Sequence, residues 1–99
     1  MQYGTVARMV VKPGMMDALM KMTTEEHMLD IPGFISTTVY QMDSNPNELI
    51  MAVVFDSKEA YVKNAESPEQ DARYREFVAA LEGAPEWLDG TIIFNDSKK

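Results

Sequence analysis

The sequence predicts an α+β domain of ferredoxin-like order, β-α-β-β-α-β, built around a four-stranded antiparallel sheet. Three observations lead there. Four segments rich in Val, Ile, Thr and aromatic residues alternate with segments of helical spacing in that order. Pro-Gly or turn-forming clusters separate most of them. A chain of 99 residues has room for one such unit and a modest core.

Tyr3 to Lys12 is dense in Val, Thr and Met and reads as a strand that Pro13-Gly14 ends. Met15 to Leu29 is expected to be helical. Met15, Leu19, Met22 and Leu29 share a stripe at 3.6-residue spacing, and Asp17 suits the positive end of the helix. Pro32-Gly33 closes this unit. Phe34 to Met42 is a strand of β-branched and aromatic residues. Asp43 to Asn47 is a turn, and Leu49 to Phe55 returns as the third strand of a hairpin. Asp56 or Ser57 caps a short helix to about Asn64; with Asp56 as the cap, Glu59 takes the capping-box position. Ser67-Pro68-Glu69-Gln70 starts another helix, with Tyr74, Phe77, Val78 and Leu81 on one face and Gly83-Ala84-Pro85 as its stop. The last strand is expected at Gly90 to Asn95, within Trp87 to Asn95. The polar end from Asp96 is expected to fray.

Strand alternation carries the argument one step further. In the third strand Ile50, Ala52 and Val54 oppose Leu49, Met51, Val53 and Phe55, so both faces are apolar. One helical layer covers one face. The other needs a cover of its own, and a second copy packed sheet to sheet supplies it, so a homodimer is expected.

Composition excludes several classes. Nine scattered Lys and Arg against sixteen Asp and Glu leave a net charge of -7, which disfavours nucleic acid and anionic membrane surfaces as partners. Without cysteine there are no disulfides and no thiolate chemistry. No apolar run reaches the roughly 18–20 residues of a membrane span, and no signal peptide is visible at Met1-Gln2-Tyr3-Gly4, so a cytoplasmic location is the expectation.

Lys12-Pro13-Gly14, Ile31-Pro32-Gly33-Phe34-Ile35-Ser36, Val53-Val54-Phe55-Asp56-Ser57-Lys58-Glu59-Ala60 and Ser67-Pro68-Glu69 follow one another at spacings that resemble the antibiotic biosynthesis monooxygenase (ABM) domain. The resemblance runs from Tyr3 to about Asn95. It implies a dimeric α/β barrel and a pocket between each sheet and its helices. Relatives include cofactor-independent oxygenases, quinol oxygenases, haem-degrading enzymes and an isomerase, so membership does not fix the chemistry. Many relatives carry Trp where this chain has Phe55, and haem-degrading ones place a His near Lys63 and Asn64, which argues against haem. Asn64 is the polar residue that matches a family site position.

Candidate site residues follow. His27, the one histidine, is either a general base or a helix-end histidine held by the dipole; it lacks companions for a metal. Arg8, among apolar strand residues, either binds an enolate or phenolate oxygen or forms an ion pair. Tyr40, Tyr61, Tyr74 and Trp87 suit a pocket that orients a planar substrate, as they suit a core edge. Arg73 lies in the helix that borders the pocket in relatives. Nine methionines serve as core filling or as a plastic pocket wall. No phosphate-binding, metalloprotease or serine-nucleophile motif is present. The expected activity is oxidation or isomerisation of a small aromatic or enolisable compound without metal or organic cofactor, by Arg8, Asn64 and His27. The alternative is a non-catalytic binding or stress-associated domain.

Overall fold

The computed structural model describes residues 1–25 and 31–98. Its elements are β1 (Tyr3–Val10), α1 (Met16–Glu25), β2 (Phe34–Met42), β3 (Asn45–Phe55), α2 (Lys58–Ala65), α3 (Pro68–Ala79) and β4 (Glu86–Thr91). The sheet has the order β2-β3-β1-β4 with every pairing antiparallel. The ferredoxin-like pattern holds, with the second helical region divided in two.

Local chemistry sets the helix boundaries. Gly14 takes φ +81°, and the Met15 amide donates to the Lys12 carbonyl, so the chain turns before α1 begins. Met15 supplies only its carbonyl to the first helical turn, and its side chain is exposed. Leu19 instead anchors α1 in the core. Ser57, not Asp56, caps α2: its Oγ accepts from the Ala60 amide at 3.1 Å. Ser67 caps α3 in the same way through the Gln70 amide, with Pro68 first inside the helix.

The β2–β3 turn is tighter than the sequence suggests. Met42 pairs with Asn45, leaving Asp43-Ser44 at the tip, and a register shift at Gln41/Met42 accommodates it. Asn45 Oδ1 accepts from the Asn47 amide, and the Gln41 amide nitrogen donates to the Pro46 carbonyl. Turn-forming residues thus lie inside β3.

β4 differs from expectation more seriously. Arg8 faces Glu86 and Tyr3 faces Thr91, so β1 fixes the strand at Glu86–Thr91 rather than Gly90–Asn95. One further bond, from the Ile92 amide to the Gln2 carbonyl, ends the pairing. Ile93 and Phe94 are left 87% and 80% exposed.

The register sorts the sheet into two faces. Ala7, Met9, Leu49, Val53 and Phe55 are buried beneath the helices, and Leu19, Ala80, Leu81 and Val11 complete the core. Met16, Met20 and Met51 pack against it, as adaptable thioethers do. The opposite face presents Val6, Ile50, Ala52, Val54, Tyr40 and Leu88, the last 63% exposed. No helix among the described residues is long and apolar enough to cross a membrane.

Candidate functional site

α2 and α3 bury no residue completely. They cover the sheet loosely, and a cavity of about 450 Å³ lies between the two layers. Strand alternation builds its floor. Thr5, Thr37, Met51, Val53, Trp87 and Asp89 all point to the helix side because Thr5 pairs with Val53 and Asp89, and Ala7 with Met51 and Trp87. Tyr61 and Ala65 of α2 and Gln70, Asp71, Arg73, Tyr74 and Phe77 of α3 form the roof, and Thr23 of α1 closes one side. The volume suits one small organic ligand.

The aromatic groups form two sets. The Trp87 indole N–H donates to the Tyr74 hydroxyl at 3.4 Å, with ring centroids 6.2 Å apart. Tyr61 packs edge-on against Phe55 at 5.7 Å and beside Tyr3 at 5.3 Å. Its hydroxyl donates to Asp89 Oδ1 at 3.0 Å. Burial, then the bond to Asp89, pushes the Tyr61 phenol up to about 12. The phenol is therefore a donor at neutral pH.

Thr5, Thr23, Thr37, Gln70, Asp71, Arg73 and Asp89 bring polar groups to the cavity. Asp71 is engaged by Arg75 one helical turn on, at 3.0 Å. Arg73 stands on the wall shared with a second cavity, of about 580 Å³. Its Nε is buried and has no hydrogen-bond partner among the described residues. A guanidinium N–H in that state favours an acceptor supplied by a ligand. Among the described residues no three His, Asp or Glu side chains converge as a metal site.

Of the residues singled out from sequence, Tyr61, Arg73, Tyr74 and Trp87 line the first cavity. Asn64 lines the second, with Lys63, Ser67 and the Pro32-Gly33 turn. Arg8 and Tyr40 lie on the other face of the sheet, away from both cavities. Arg8 donates to Glu48 Oε2 at 3.0 Å, and that pair raises its pKa, with Glu86 adding to the effect. Arg8 is thus an ion-paired residue of the outward face. His27 lies outside the described residues. Thr5, Thr37, Gln70 and Asp89 also line the first cavity, although nothing in the sequence marks them as site residues. Asp89 shares the face of Trp87 because the two are two apart in β4, a strand that only its pairing with β1 reveals.

The sequence profile of the antibiotic biosynthesis monooxygenase family matches residues 3–76. The chain belongs to the antibiotic biosynthesis monooxygenase family. No curated protein matches it significantly in sequence. Solved structures resemble this ABM chain in fold. A protein named for the same family from Chloroflexus aurantiacus J-10-fl superposes with a TM-score of 0.80 at 22% identity, covering 98% of each chain. A conserved protein from Methanosarcina mazei Go1 gives 0.81 at 22% identity over 90% of each chain. SnoaB, a cofactor-independent oxygenase from Streptomyces nogalater, crystallised as an asparagine-to-alanine variant, gives 0.83 at 14% identity over 95% of each. At such identities the likeness is one of fold. ABM proteins are typically dimeric.

Proposed function

We propose that this ABM protein is a cofactor-independent monooxygenase, or a related isomerase, acting on a small aromatic or enolisable compound in the first cavity. The observation that carries the reading is the cavity itself: Trp87, Tyr74, Phe77 and Met51 give it planar, apolar walls, and Arg73 on its lining brings a cation for an anionic oxygen. Dioxygen reacts slowly with closed-shell molecules but readily with an electron-rich anion. A cavity that holds an enolate or phenolate and excludes water supplies that condition. For an anthrone the balance is substrate plus dioxygen giving quinone plus water, with the ring methylene oxidised and dioxygen reduced. SnoaB, of the same fold, carries the name of a cofactor-independent oxygenase.

The working unit in this reading is a cytoplasmic homodimer joined through the face of Val6, Ile50, Ala52, Val54 and Leu88. In the same reading the exposed Ile93 and Phe94 pair with the partner beyond β4. The test is oxygen uptake with a panel of anthrones, quinols and enediols. Turnover above a heat-inactivated control supports the reading, and none across the panel sinks it. The position of Arg8 and Asn64 outside this cavity favours a second reading, a domain that shelters an apolar ligand without changing it. Native mass spectrometry showing a retained ligand that survives in air would select it.

A further inference from the structure

We infer that Asp89 is the proton acceptor of the first cavity, held in place by Tyr61. The inference rests on the oxygenase reading for its substrate class, a compound with an acidic C–H or O–H group.

The chemistry needs a base before it needs oxygen, because only the deprotonated substrate is electron-rich enough to react. Two carboxylates line the cavity. Asp71 is paired with the Arg75 cation at 3.0 Å; Asp89 is exposed as Asp71 is, but its partner is the neutral Tyr61 phenol. Asp89 stands on the sheet floor, beside Trp87 on the same strand face, where a flat substrate against the indole would meet it. Its Oδ1 accepts from Tyr61, which engages one carboxylate oxygen and leaves Oδ2 for the substrate. The Tyr61 phenol stays protonated, so it orients the base without competing for the proton. Arg73 of α3 also lines the cavity, and its positive charge suits the negative oxygen that deprotonation creates.

The step balances without an oxidant. With dithranol, a dihydroxyanthrone, the ring methylene C–H bond breaks and an O–H bond forms on Asp89. The electron pair moves into the ring system and onto the carbonyl oxygen, giving the enolate.

Proton transfer is therefore measurable apart from oxygenation. Dithranol is incubated with the protein under argon in deuterated buffer, and loss of the methylene proton signal is followed by NMR. Wild type should accelerate exchange above buffer. Asp89→Asn keeps an acceptor for Tyr61 but removes the base, and should lower the acceleration by roughly 100-fold or more. Asp89→Glu should retain part of it. Tyr61→Phe should lower the rate by less than Asp89→Asn, and added to Asp89→Asn it should cause no further loss, because it acts through the carboxylate. Wild-type exchange rates in Asp89→Asn, or no acceleration by wild type, would overturn the assignment. The same samples in air separate the two ideas. Exchange without oxygen uptake supports Asp89 and sinks the oxygenase reading. Full oxygen uptake by Asp89→Asn sinks Asp89 alone.

Discussion

A carboxylate placed on β3 should have opposite consequences one face apart. Leu49 is 2% exposed and lies in the core beneath the helices. Val54 lies on the outward face, opposite Gly4 and Ser36. Leu49→Asp removes a buried apolar side chain, worth roughly 2–3 kcal/mol, and adds the desolvation of an acid with no partner, so the loss should be about 4–5 kcal/mol or more. A domain of this size has a total stability of about 5–15 kcal/mol. The variant should be largely unfolded or unfold at low urea. Val54→Asp costs the isolated chain only about 1 kcal/mol, as a surface change with lower β propensity. In a dimer joined through this face a twofold axis places two such carboxylates in the interface, each costing several kcal/mol. A total of about 4 kcal/mol already weakens association roughly 1,000-fold. Sedimentation equilibrium with circular dichroism reads both quantities. Wild type should have twice the chain mass and Val54→Asp should be a folded monomer. A Val54→Asp variant that remains a dimer would refute the assignment of the outward face as the interface, and a monomeric wild type would refute the dimer itself.

Three further outcomes follow from single contacts. The Tyr61 phenol lies above its ordinary value of 10, so its contribution to stability is complete below pH 10 and is lost as pH rises towards 12; tyrosinate absorbance should show one of the four tyrosines ionising late, and Tyr61→Phe should remove that component. Gly33 has φ +82°, and a Cβ there would lie 2.5 Å from Ala60 Cβ and 2.7 Å from Asp56 Oδ1, so Gly33→Ala should destabilise by about 2 kcal/mol or more in urea unfolding. Leu19→Ala, at the fully buried centre of the α1 contact, should cost about 2–5 kcal/mol, and a loss below 1 kcal/mol would place α1 elsewhere.

The fold was legible where local chemistry and alternation agree. The parity of β3 alone separates Leu49, Val53 and Phe55 from Ile50, Ala52 and Val54, and Ser67-Pro68 marks the start of α3. The site was less legible because parity does not say which face the helices cover. Arg8 shares a face with Val6 and Val10, and that face proved to be the outward one. Asp89 was missed for a different reason. Ile92-Ile93-Phe94 is the strongest β-forming run near the C-terminus, but pairing is set by β1, which reaches only from Thr91 to Glu86. A non-local register overruled local propensity, and it moved Asp89 from a loop to the cavity floor. The cavity itself depends on how loosely α2 and α3 lie over the sheet, which no residue pattern encodes.

The central claim, that a small aromatic molecule occupies the cavity between sheet and helices, has a reporter built in. Trp87 is the only tryptophan in the chain and lines that cavity. Titration with a dihydroxyanthraquinone, a planar compound with no methylene to react, should quench its fluorescence saturably at one ligand per chain. Linear, non-saturating quenching, or saturable binding by calorimetry that leaves Trp87 emission unchanged, would place the ligand elsewhere and contradict the account.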